Sequence, residues 1–384
     1  MNLKIGIDAR ELETCPGGVG RVALNLLREW ANGACGHRLV LYFQNGIPDI
    51  EFLNSPLFEQ KIIPAPCRLN RGRLWEQVSL PRFIEKDHID VFFSPAYILP
   101  LRAKCPAAVI VHDISYQTHP DWFPIRQRIL WSWLTRWSVR RAAKILCCSD
   151  FTRQEILDHY GKNLENKIST VYWAPDACFK PGKEDEPKRL LASKFQIDRP
   201  FFLFVGKLFK RRNVPLLIRA FEKFAGEYPE YLLVVIGPDA EAFGPGGQTL
   251  KSFLRESGLQ DQVLHFDHMG ADDLTAFYQA AFGLVYPSIY EGFGFPIVEA
   301  MACGVPVILP NAEAGVEVAA GAAMVVDPLD ERRLAGAMKE LVENQSLRQG
   351  LIRNGLERVQ KLSWGKTASA IMAAIEDAAR GGRS

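Results

Sequence analysis

The chain has 384 residues, with 46 lysines and arginines against 44 aspartates and glutamates and a formal net charge of +2. This length is too great for one ordinary hydrophobic core and favours two domains. The near-neutral charge argues against a protein that binds polyanions over its whole surface, so we expect no nucleic-acid partner. No apolar run is long enough to span a bilayer.

The cysteine content indicates a reducing environment and no metal site. The cysteines are scattered, without a C-x-x-C pair or the spacing of a zinc site. Residues 1–8 predict a strand and lack a signal-peptide pattern, so we expect a cytoplasmic protein with reduced thiols. The eight cysteines are Cys15, Cys35, Cys67, Cys105, Cys147, Cys148, Cys178 and Cys303.

Predicted strands and helices alternate along the first half of the chain, which is typical of an α/β fold with parallel sheets. Helical patterns lie between several of the strands, notably at residues 20–30 and 124–143. Apolar runs that favour buried strands cover residues 3–7, 39–43, 90–93, 108–111 and 144–147.

A glycine-rich segment follows the first predicted strand. Residues 15–21, Cys-Pro-Gly-Gly-Val-Gly-Arg, precede the first predicted helix. Such a loop can bring backbone N–H groups against a phosphate or a sugar. It does not match the G-x-G-x-x-G fingerprint, which disfavours a dehydrogenase. The alternative is that the glycines only form a turn.

His112 lies at the carboxyl end of a predicted parallel strand, in the sequence Val-Ile-Val-His-Asp over residues 109–113. Open α/β sheets bind ligands at this end of their strands, which favours a functional histidine. The alternative is a structural histidine whose imidazole is bonded to Asp113.

Residues 126–144 predict a helix with Trp131, Trp133 and Trp137, six basic side chains and no acidic one. A basic aromatic helix can lie on an anionic membrane surface. The alternative is a helix that packs its tryptophans on the sheet, since Trp133 and Trp137 are four residues apart and share one face. We favour packing on the sheet, and keep peripheral contact with the inner face of a membrane as the open alternative.

A polar, proline-containing stretch at residues 175–200 predicts a linker between two domains. Apolar runs beyond it predict a second set of strands at residues 201–205, 232–236, 263–266, 283–286, 306–309 and 323–326. Helical patterns follow at residues 214–226, 248–257, 272–280, 296–302 and 331–342. Two doubly wound sheets predict a ligand cleft at the carboxyl ends of their strands.

A basic loop follows the first strand of the second half. Residues 205–213 contain Lys207, Lys210, Arg211 and Arg212 and precede a predicted helix. Four cations beside a helix N-terminus suit a diphosphate. The alternative is a solvated basic loop.

Two glutamates bracket a glycine loop between two apolar runs. Glu291 is in the loop, and Glu299 lies in the short helix that follows it. Pro296 suits the first turn of that helix, and Gly304 suits its end. A strand, a glycine loop and a helix N-terminus together favour a site for an anion or a polar ligand. The alternative is that Glu299 only stabilises the positive end of the helix dipole.

Residues 291–304, Glu-Gly-Phe-Gly-Phe-Pro-Ile-Val-Glu-Ala-Met-Ala-Cys-Gly, resemble the signature of retaining glycosyltransferases of family 4, which have the GT-B fold. The resemblance implies two doubly wound, Rossmann-like parallel-sheet domains that face a cleft. It places an acceptor-side domain at residues 1–180 and a nucleotide-sugar domain at residues 181–362. A last helix within residues 363–384 would cross back to the first domain.

The resemblance also implies roles for single residues. Glu291 and His112 would orient the donor sugar, and Glu299 would bind the ribose of the nucleotide. The remaining donor contacts would come from two loops, with Gly18 beside the phosphates and the sugar held by the backbone of Gly292, Phe293, Gly294 and Phe295.

Three cations of the basic loop would bind the diphosphate. They are Lys207, Arg211 and Arg212, and Arg212 stands where the family has its phosphate-binding lysine. An arginine keeps the charge and can bind in a bidentate manner. Since these cations would replace a metal ion, the resemblance implies neither a metal nor a cofactor.

The implied activity is transfer of a hexose, with retention, from a nucleoside-diphosphate sugar to a glycan or lipid-linked acceptor in polysaccharide synthesis. Mannose from GDP-mannose is the first candidate donor, because the motifs resemble those of bacterial polysaccharide mannosyltransferases. A UDP-sugar such as UDP-glucose is the alternative, since Asp267 replaces the usual glycine near the base. Two rival functions are a GT-B-fold sugar-nucleotide epimerase and a non-catalytic sugar-nucleotide-binding subunit.

Overall fold

The computed structural model describes residues 2–13, 17–33, 35–65, 71–183, 185–239, 249–326 and 330–381. The chain forms two compact units, Met1–Trp173 together with Ser363–Ser384, and Ala174–Leu362. The predictions made for Cys15, Cys67, the helix start at residue 248 and the last three residues lie outside the described residues.

The first unit is built around seven parallel strands: β1 (Lys4–Asp8), β2 (Arg38–Phe43), β3 (Phe58–Ile62), β4 (Val91–Ser94), β5 (Ala107–Val111), β6 (Lys144–Cys147) and β7 (Ile168–Thr170). Their order in the sheet is β3-β2-β1-β4-β5-β6-β7. The five predicted strands are confirmed to within one residue at each end. The edge strands β3 and β7 escape prediction, because the three middle residues of β3 are polar and β7 has only three residues.

The α-helices of this unit are, in sequence order, α1 (Gly18–Asn32), α2 (Arg71–Leu74), α3 (Leu80–Lys86), α4 (Ser115–Thr118), α5 (Ile125–Arg141), α6 (Asp150–Tyr160) and, at the end of the chain, α15 (Trp364–Gly381). Helix α15 packs against α1 and against β4, β5 and β6. The indole Nε1 of Trp30 donates to the carbonyl of Ala368 at 3.1 Å. The last helix is therefore part of the core of the first unit.

The second unit contains six parallel strands: β8 (Phe201–Val205), β9 (Leu232–Ile236), β10 (Val263–Phe266), β11 (Gly283–Val285), β12 (Val307–Pro310) and β13 (Met324–Val326). Their order is β10-β9-β8-β11-β12-β13. In each sheet the first three strands are added in one direction and the later strands in the opposite direction. The strand order therefore reverses between β1 and β4 in the first unit and between β8 and β11 in the second. Such reversal points are where doubly wound sheets bind ligands.

The helices of the second unit are α7 (Glu186–Phe195), α8 (Val214–Ala225), α9 (Leu250–Ser257), α10 (Ala271–Ala280), α11 (Phe295–Ala302), α12 (Glu313–Ala319), α13 (Glu331–Glu343) and α14 (Gln345–Gln360). The prediction of a linker over residues 175–200 is wrong for the part that forms α7. Pro187 stands in the first turn of α7, where proline is well tolerated, and Leu191 is buried. The sequence does not predict α7, because the segment is mostly polar and the apolar side of the helix is narrow.

Helix α5 packs on its unit through a different face from the one predicted. Its buried residues are Leu134, Thr135, Ser138 and Val139. The hydroxyl of Ser138 accepts the N–H of Leu99 at 2.9 Å, which fixes this side of the helix. The expectation that Trp133 and Trp137 pack together on the sheet is wrong, since these side chains are 53% and 45% exposed.

Candidate functional site

In the second unit, two loops follow the neighbouring strands β8 and β11 at the point where the strand order reverses. The loop after β8 holds Lys207, Arg211 and Arg212, and the loop after β11 holds Glu291. Because parallel strands end at the same edge of a sheet, the fold brings these residues to one place.

The loop after β8 turns sharply into α8. Its first residue, Gly206, has φ +146°, and Leu208 is buried with its N–H donated to the carbonyl of Pro238 at 3.1 Å. Asn213 takes the left-handed conformation and precedes the first residue of α8. A side chain at Gly237 would lie 2.2 Å from the carbonyl oxygen of Gly206, so only glycine lets the two backbones approach this closely. The basic residues are thus held on a tightly built turn.

Phe209 is a site residue that the sequence reasoning missed. Its ring is exposed, the ammonium of Lys207 lies 5.0 Å from the ring centroid, and the guanidinium carbon of Arg211 lies 5.7 Å from it. Both cations are within the range of cation–π attraction. An aromatic residue set between cations in the sequence is the signal that could have identified it.

Backbone and hydroxyl contacts join the two loops. The N–H of Ile289 donates to the carbonyl of Arg211 at 2.9 Å, and the hydroxyl of Ser288 lies 3.3 Å from the same oxygen. Ser288 and Arg211 are 77 positions apart in the sequence. The loops therefore form one structural element, although they belong to different strands.

Arg212 and Glu291 form an ion pair across this junction. Their side chains are only 13% and 11% exposed. The same carboxylate oxygen accepts the hydroxyl of Ser288 at 2.6 Å and that of Tyr286 at 3.2 Å. The guanidinium carbon of Arg212 lies 5.0 Å from the ring centroid of Tyr286. A nearly buried ion pair is favourable only when hydrogen bonds satisfy it, and here Tyr286 and Ser288 provide them.

The loop then enters α11 through Gly294, whose φ of +91° suits glycine. A side chain there would also lie 2.9 Å from Ile297. The side chain of Phe293 is buried, and its ring contacts that of Phe295 edge-on at 5.5 Å. Any contact of Gly292 or Phe293 with a ligand would therefore be made by the backbone.

Glu299 is buried inside α11. Its carboxylate accepts the hydroxyl of Tyr278, from α10, at 2.6 Å. The first turn of α11 contains no acidic residue, so Glu299 does not have the helix-end position that the dipole interpretation requires. Glutamate is almost never fully buried without a partner, which makes the Tyr278 bond structurally important.

In the first unit, His112 follows β5 and is buried. Its Nε2 lies 2.8 Å from the carbonyl oxygen of Pro95. Since a carbonyl only accepts, Nε2 carries the proton and Nδ1 is the acceptor. Burial lowers the pKa of His112, and the Pro95 bond and the charge of Asp113 oppose that shift.

The alternative prediction is that the imidazole of His112 is bonded to Asp113. The Nε2 of His112 is instead bonded to the carbonyl of Pro95. The carboxylate of Asp113 accepts both the N–H and the hydroxyl of Ser115, at 3.0 and 2.7 Å. The imidazole instead lies between aromatic rings, 5.4 Å from the centroid of Tyr97 and 6.0 Å from that of Trp173.

Gly18 is the first residue of α1 and is exposed. A side chain there would meet no atom within 4 Å, so internal packing is not what requires glycine. The loop that it belongs to is described only from residue 17 onwards.

A buried charge cluster at the end of β1 was also missed. The guanidinium of Arg10 pairs with Asp8 at 2.6 Å and with Glu76 at 3.0 Å, and it lies 4.3 Å from the ring centroid of Trp75. Burial would lower the pKa of Arg10, but the two carboxylates hold it above its ordinary value. Nothing in the local sequence links Arg10 to Glu76, since they are 66 positions apart.

The part of the chain that the structure describes contains no group of three or more histidine, cysteine or acidic side chains arranged to hold a metal ion. It also contains no helix that is both long and apolar enough to cross a membrane. Within the same residues, the cysteines recorded as free thiols are Cys35, Cys105, Cys147, Cys148, Cys178 and Cys303.

Two protein families match most of the chain between them. Residues 188–358 match the family described as "Glycosyl transferases group 1", and residues 16–176 match "Glycosyltransferase Family 4". The first match covers both loops of the site together with Glu299, and the second covers Gly18 and His112.

Two curated relatives are 30% identical to the chain over the aligned residues. It is 30% identical over 282 residues to O-antigen chain mannosyltransferase B of Escherichia coli, an alignment that covers 73% of this chain and 71% of the relative. It is also 30% identical over 234 residues to O-antigen chain mannosyltransferase RfbU of Salmonella typhimurium, covering 61% of this chain and 60% of the relative.

The fold is similar to that of solved GT-B glycosyltransferases. The structure of Anabaena HepE in complex with UDP and glucose superposes with a TM-score of 0.77 at 15% identity. The superposition covers 98% of this chain and all of that one. The predicted GT-B class, with two parallel-sheet α/β domains, is therefore confirmed.

The burial of His112 generates a prediction about pH. An imidazole in the unfolded chain binds a proton near pH 6.5, whereas the native imidazole stays neutral to lower pH. Unfolding is therefore favoured as the pH falls below 6.5, by up to about 1.4 kcal/mol for each pH unit. We expect His112→Gln to lose less stability than the wild type between pH 7.5 and 5.5, as measured by urea unfolding.

The matched control is His159→Gln, which removes an exposed histidine from α6. His112→Gln should lose less stability than this control over the same pH range. If the free energy of unfolding changed with pH equally in the wild type and in His112→Gln, His112 would not be held neutral by the fold.

Proposed function

This chain belongs to glycosyltransferase family 4, and on that premise we propose that it transfers a hexose from a nucleoside-diphosphate sugar to a glycan or lipid-linked acceptor, with retention at the anomeric carbon. The observation that carries the proposal is the Arg212–Glu291 pair at the strand reversal of the second unit. It sets a cation for the diphosphate beside a carboxylate for the sugar.

The diphosphate side consists of Lys207, Arg211 and Arg212. These cations lie on the turn that leads into α8, where the helix dipole also favours an anion. As the bond between the sugar and the diphosphate breaks, negative charge grows on the leaving phosphate. Fixed positive groups stabilise that charge without having to reorganise. We propose that these three residues do this work without a metal ion.

The sugar side is proposed to be Glu291, with the backbone of residues 292–295. The carboxylate of Glu291 is already engaged by Arg212 and Ser288. We therefore assign it no role as a nucleophile and propose direct attack by the acceptor hydroxyl on the face from which the diphosphate leaves. The acceptor oxygen bonds to the anomeric carbon as the carbon–phosphate oxygen bond breaks. The acceptor proton passes to the leaving phosphate oxygen, so that no protein base is needed.

Glu299 is proposed to bind the ribose. Tyr278 fixes one carboxylate oxygen, which orients the group before the nucleotide arrives. The Nδ1 of His112 is proposed to accept a hydrogen bond from a hydroxyl of the donor sugar, because Nε2 already donates to the carbonyl of Pro95. Gly18 is proposed to approach the phosphates with its backbone.

Mannose from GDP-mannose is the proposed donor, supported by two relatives named as O-antigen mannosyltransferases. A UDP-sugar is the second candidate, favoured by a structural neighbour that was solved with UDP and glucose. At the place where the family contacts the base, Asp267 is exposed and lies 3.7 Å from the Nε2 of His265.

Incubation with GDP-mannose, UDP-glucose and their parent nucleotides tests the function. We expect release of GDP from GDP-mannose, faster in the presence of an acceptor glycan, and no loss of rate when EDTA is added. The readouts are free nucleotide and the identity of the recovered sugar.

The other outcomes are distinct. A sugar that is altered but still bound to its nucleotide would identify an epimerase, and binding without turnover would identify a non-catalytic subunit. Turnover of the UDP-sugar alone would overturn the choice of donor. Abolition by EDTA would contradict a metal-free site.

Arg212→Ala should lower kcat about 10²–10³-fold, because the leaving diphosphate loses a preorganised charge. Arg212→Lys keeps the charge and should retain more activity than the alanine variant. Arg332→Ala, which removes an exposed arginine of α13, is the matched control and should be as active as the wild type. Near-normal turnover by Arg212→Ala would exclude the proposed role.

Tyr278→Phe should weaken the binding of the nucleoside diphosphate by about five- to tenfold, because it removes the hydroxyl that orients Glu299 and such a bond contributes about 1 kcal/mol. Tyr228→Phe is the matched control, since it removes a 2.7 Å tyrosine–glutamate bond to Glu343 at the surface. Calorimetry with GDP and UDP measures both affinities. Equal affinities for the two variants would refute the orienting role of Tyr278.

A further inference from the structure

Large apolar side chains are exposed along the outer face of α5. Of the ten such side chains that are exposed within the described ranges, five belong to this helix. Four of them recur at every fourth position and form one stripe along the helix. The five are Ile125, Ile129, Leu130, Trp133 and Trp137, each between 40% and 60% exposed. Isolated exposed apolar residues are ordinary, but a continuous stripe of them marks an interaction surface.

Arginines lie on the same face. With about 100° of rotation per residue, Arg126, Arg136 and Arg140 fall between the members of the stripe, and all three are exposed. The guanidinium carbon of Arg140 lies 5.8 Å from the ring centroid of Trp137. Helix α5 contains no aspartate or glutamate. The surface is therefore apolar and cationic at once.

A groove runs beside this face. It has a volume of about 450 Å³, and α5 lines it with Arg128, Ile129, Trp133 and Arg136. Two guanidinium groups thus lie next to an apolar rim. This pairing suits a phosphate that is attached to a hydrocarbon chain.

The inner side of α5 is fastened to the unit independently of this face. Ser138 accepts the N–H of Leu99, and the guanidinium of Arg141 donates to the carbonyl of Leu101 at 3.3 Å. The exposed tryptophans are not needed to hold the helix in place. A rigid helix that presents tryptophan, isoleucine and arginine together resembles helices that lie in the plane of a bilayer interface.

We propose that the outer face of α5 docks on the surface of a bilayer that contains anionic phospholipids. Trp133, Trp137 and Ile129 enter the headgroup layer, and the arginines pair with lipid phosphates. Tryptophan and isoleucine interleaved with arginine, without any acid on the helix, are typical of helices that lie in the interface of an anionic bilayer. This goes beyond the proposed transfer reaction and does not depend on it.

Co-sedimentation with vesicles tests the proposal without donor or acceptor. The wild type should bind vesicles of phosphatidylcholine mixed with phosphatidylglycerol, bind pure phosphatidylcholine much less, and dissociate as salt is raised. The double variant Trp133→Ser/Trp137→Ser should lower the partition coefficient at least about tenfold, through lost apolar burial. Arg136→Ala/Arg140→Ala should lower it about fivefold for each arginine removed.

The control variant Leu190→Ser/Arg332→Ala removes an exposed leucine and an exposed arginine from the second unit. It should bind the anionic vesicles as the wild type does. All the substituted side chains are exposed, so thermal unfolding should stay unchanged and show that the variants fold.

Three results would overturn the proposal. They are absence of binding to anionic vesicles, equal binding to neutral and anionic vesicles, and unchanged binding by the tryptophan variant. Self-association that the tryptophan variant abolishes, without vesicle binding, would instead identify the face as a contact between copies of the chain. Since the assay contains no nucleotide sugar, its outcome is independent of the transfer reaction.

Discussion

The ion pair between Arg212 and Glu291 is the interaction on which the candidate site depends. It lies where the strand order of the second sheet reverses, so its two residues come from loops that are distant in sequence and adjacent in space. Ser288 and Tyr286 satisfy the carboxylate, and the Ile289–Arg211 backbone bond keeps the loops together. Positive and negative charge are thereby fixed side by side before any ligand binds, which is the condition for electrostatic preorganisation.

The fold explains why this pairing is possible. A parallel sheet places the carboxyl ends of its strands at one edge, and the reversal makes β8 and β11 neighbours, so that the loops after them meet. The glycine at position 237, just after β9, lets the backbone there approach that of Gly206, which keeps the basic loop close to the sheet. The backbone thus determines where the two loops lie, and the positions of the charged side chains depend on it.

The sequence predicts most of the strands well and the contacts between elements poorly. Strands β8 and β9 have the predicted ends, because buried parallel strands are continuous apolar runs. Strands β3 and β7 and helix α7 lack that signal. The bond of Tyr278 to Glu299 and the contact of Ser288 with Arg211 depend on long-range packing that no local pattern encodes. Spacing shows that Trp133 and Trp137 share a face, but not whether that face points inwards.

The residues around position 212 explain why an arginine suits this position. A lysine ammonium is a compact charge, whereas a guanidinium is planar and can stack on a ring while it pairs with a carboxylate. Arg212 does both, since it lies over Tyr286 and pairs with Glu291. Tyr286 is itself stacked on Phe204 of β8, with ring centroids 6.0 Å apart. The guanidinium is therefore connected through two rings to the first strand of its own sheet, and its planar shape allows it to contact the Tyr286 ring and the Glu291 carboxylate together.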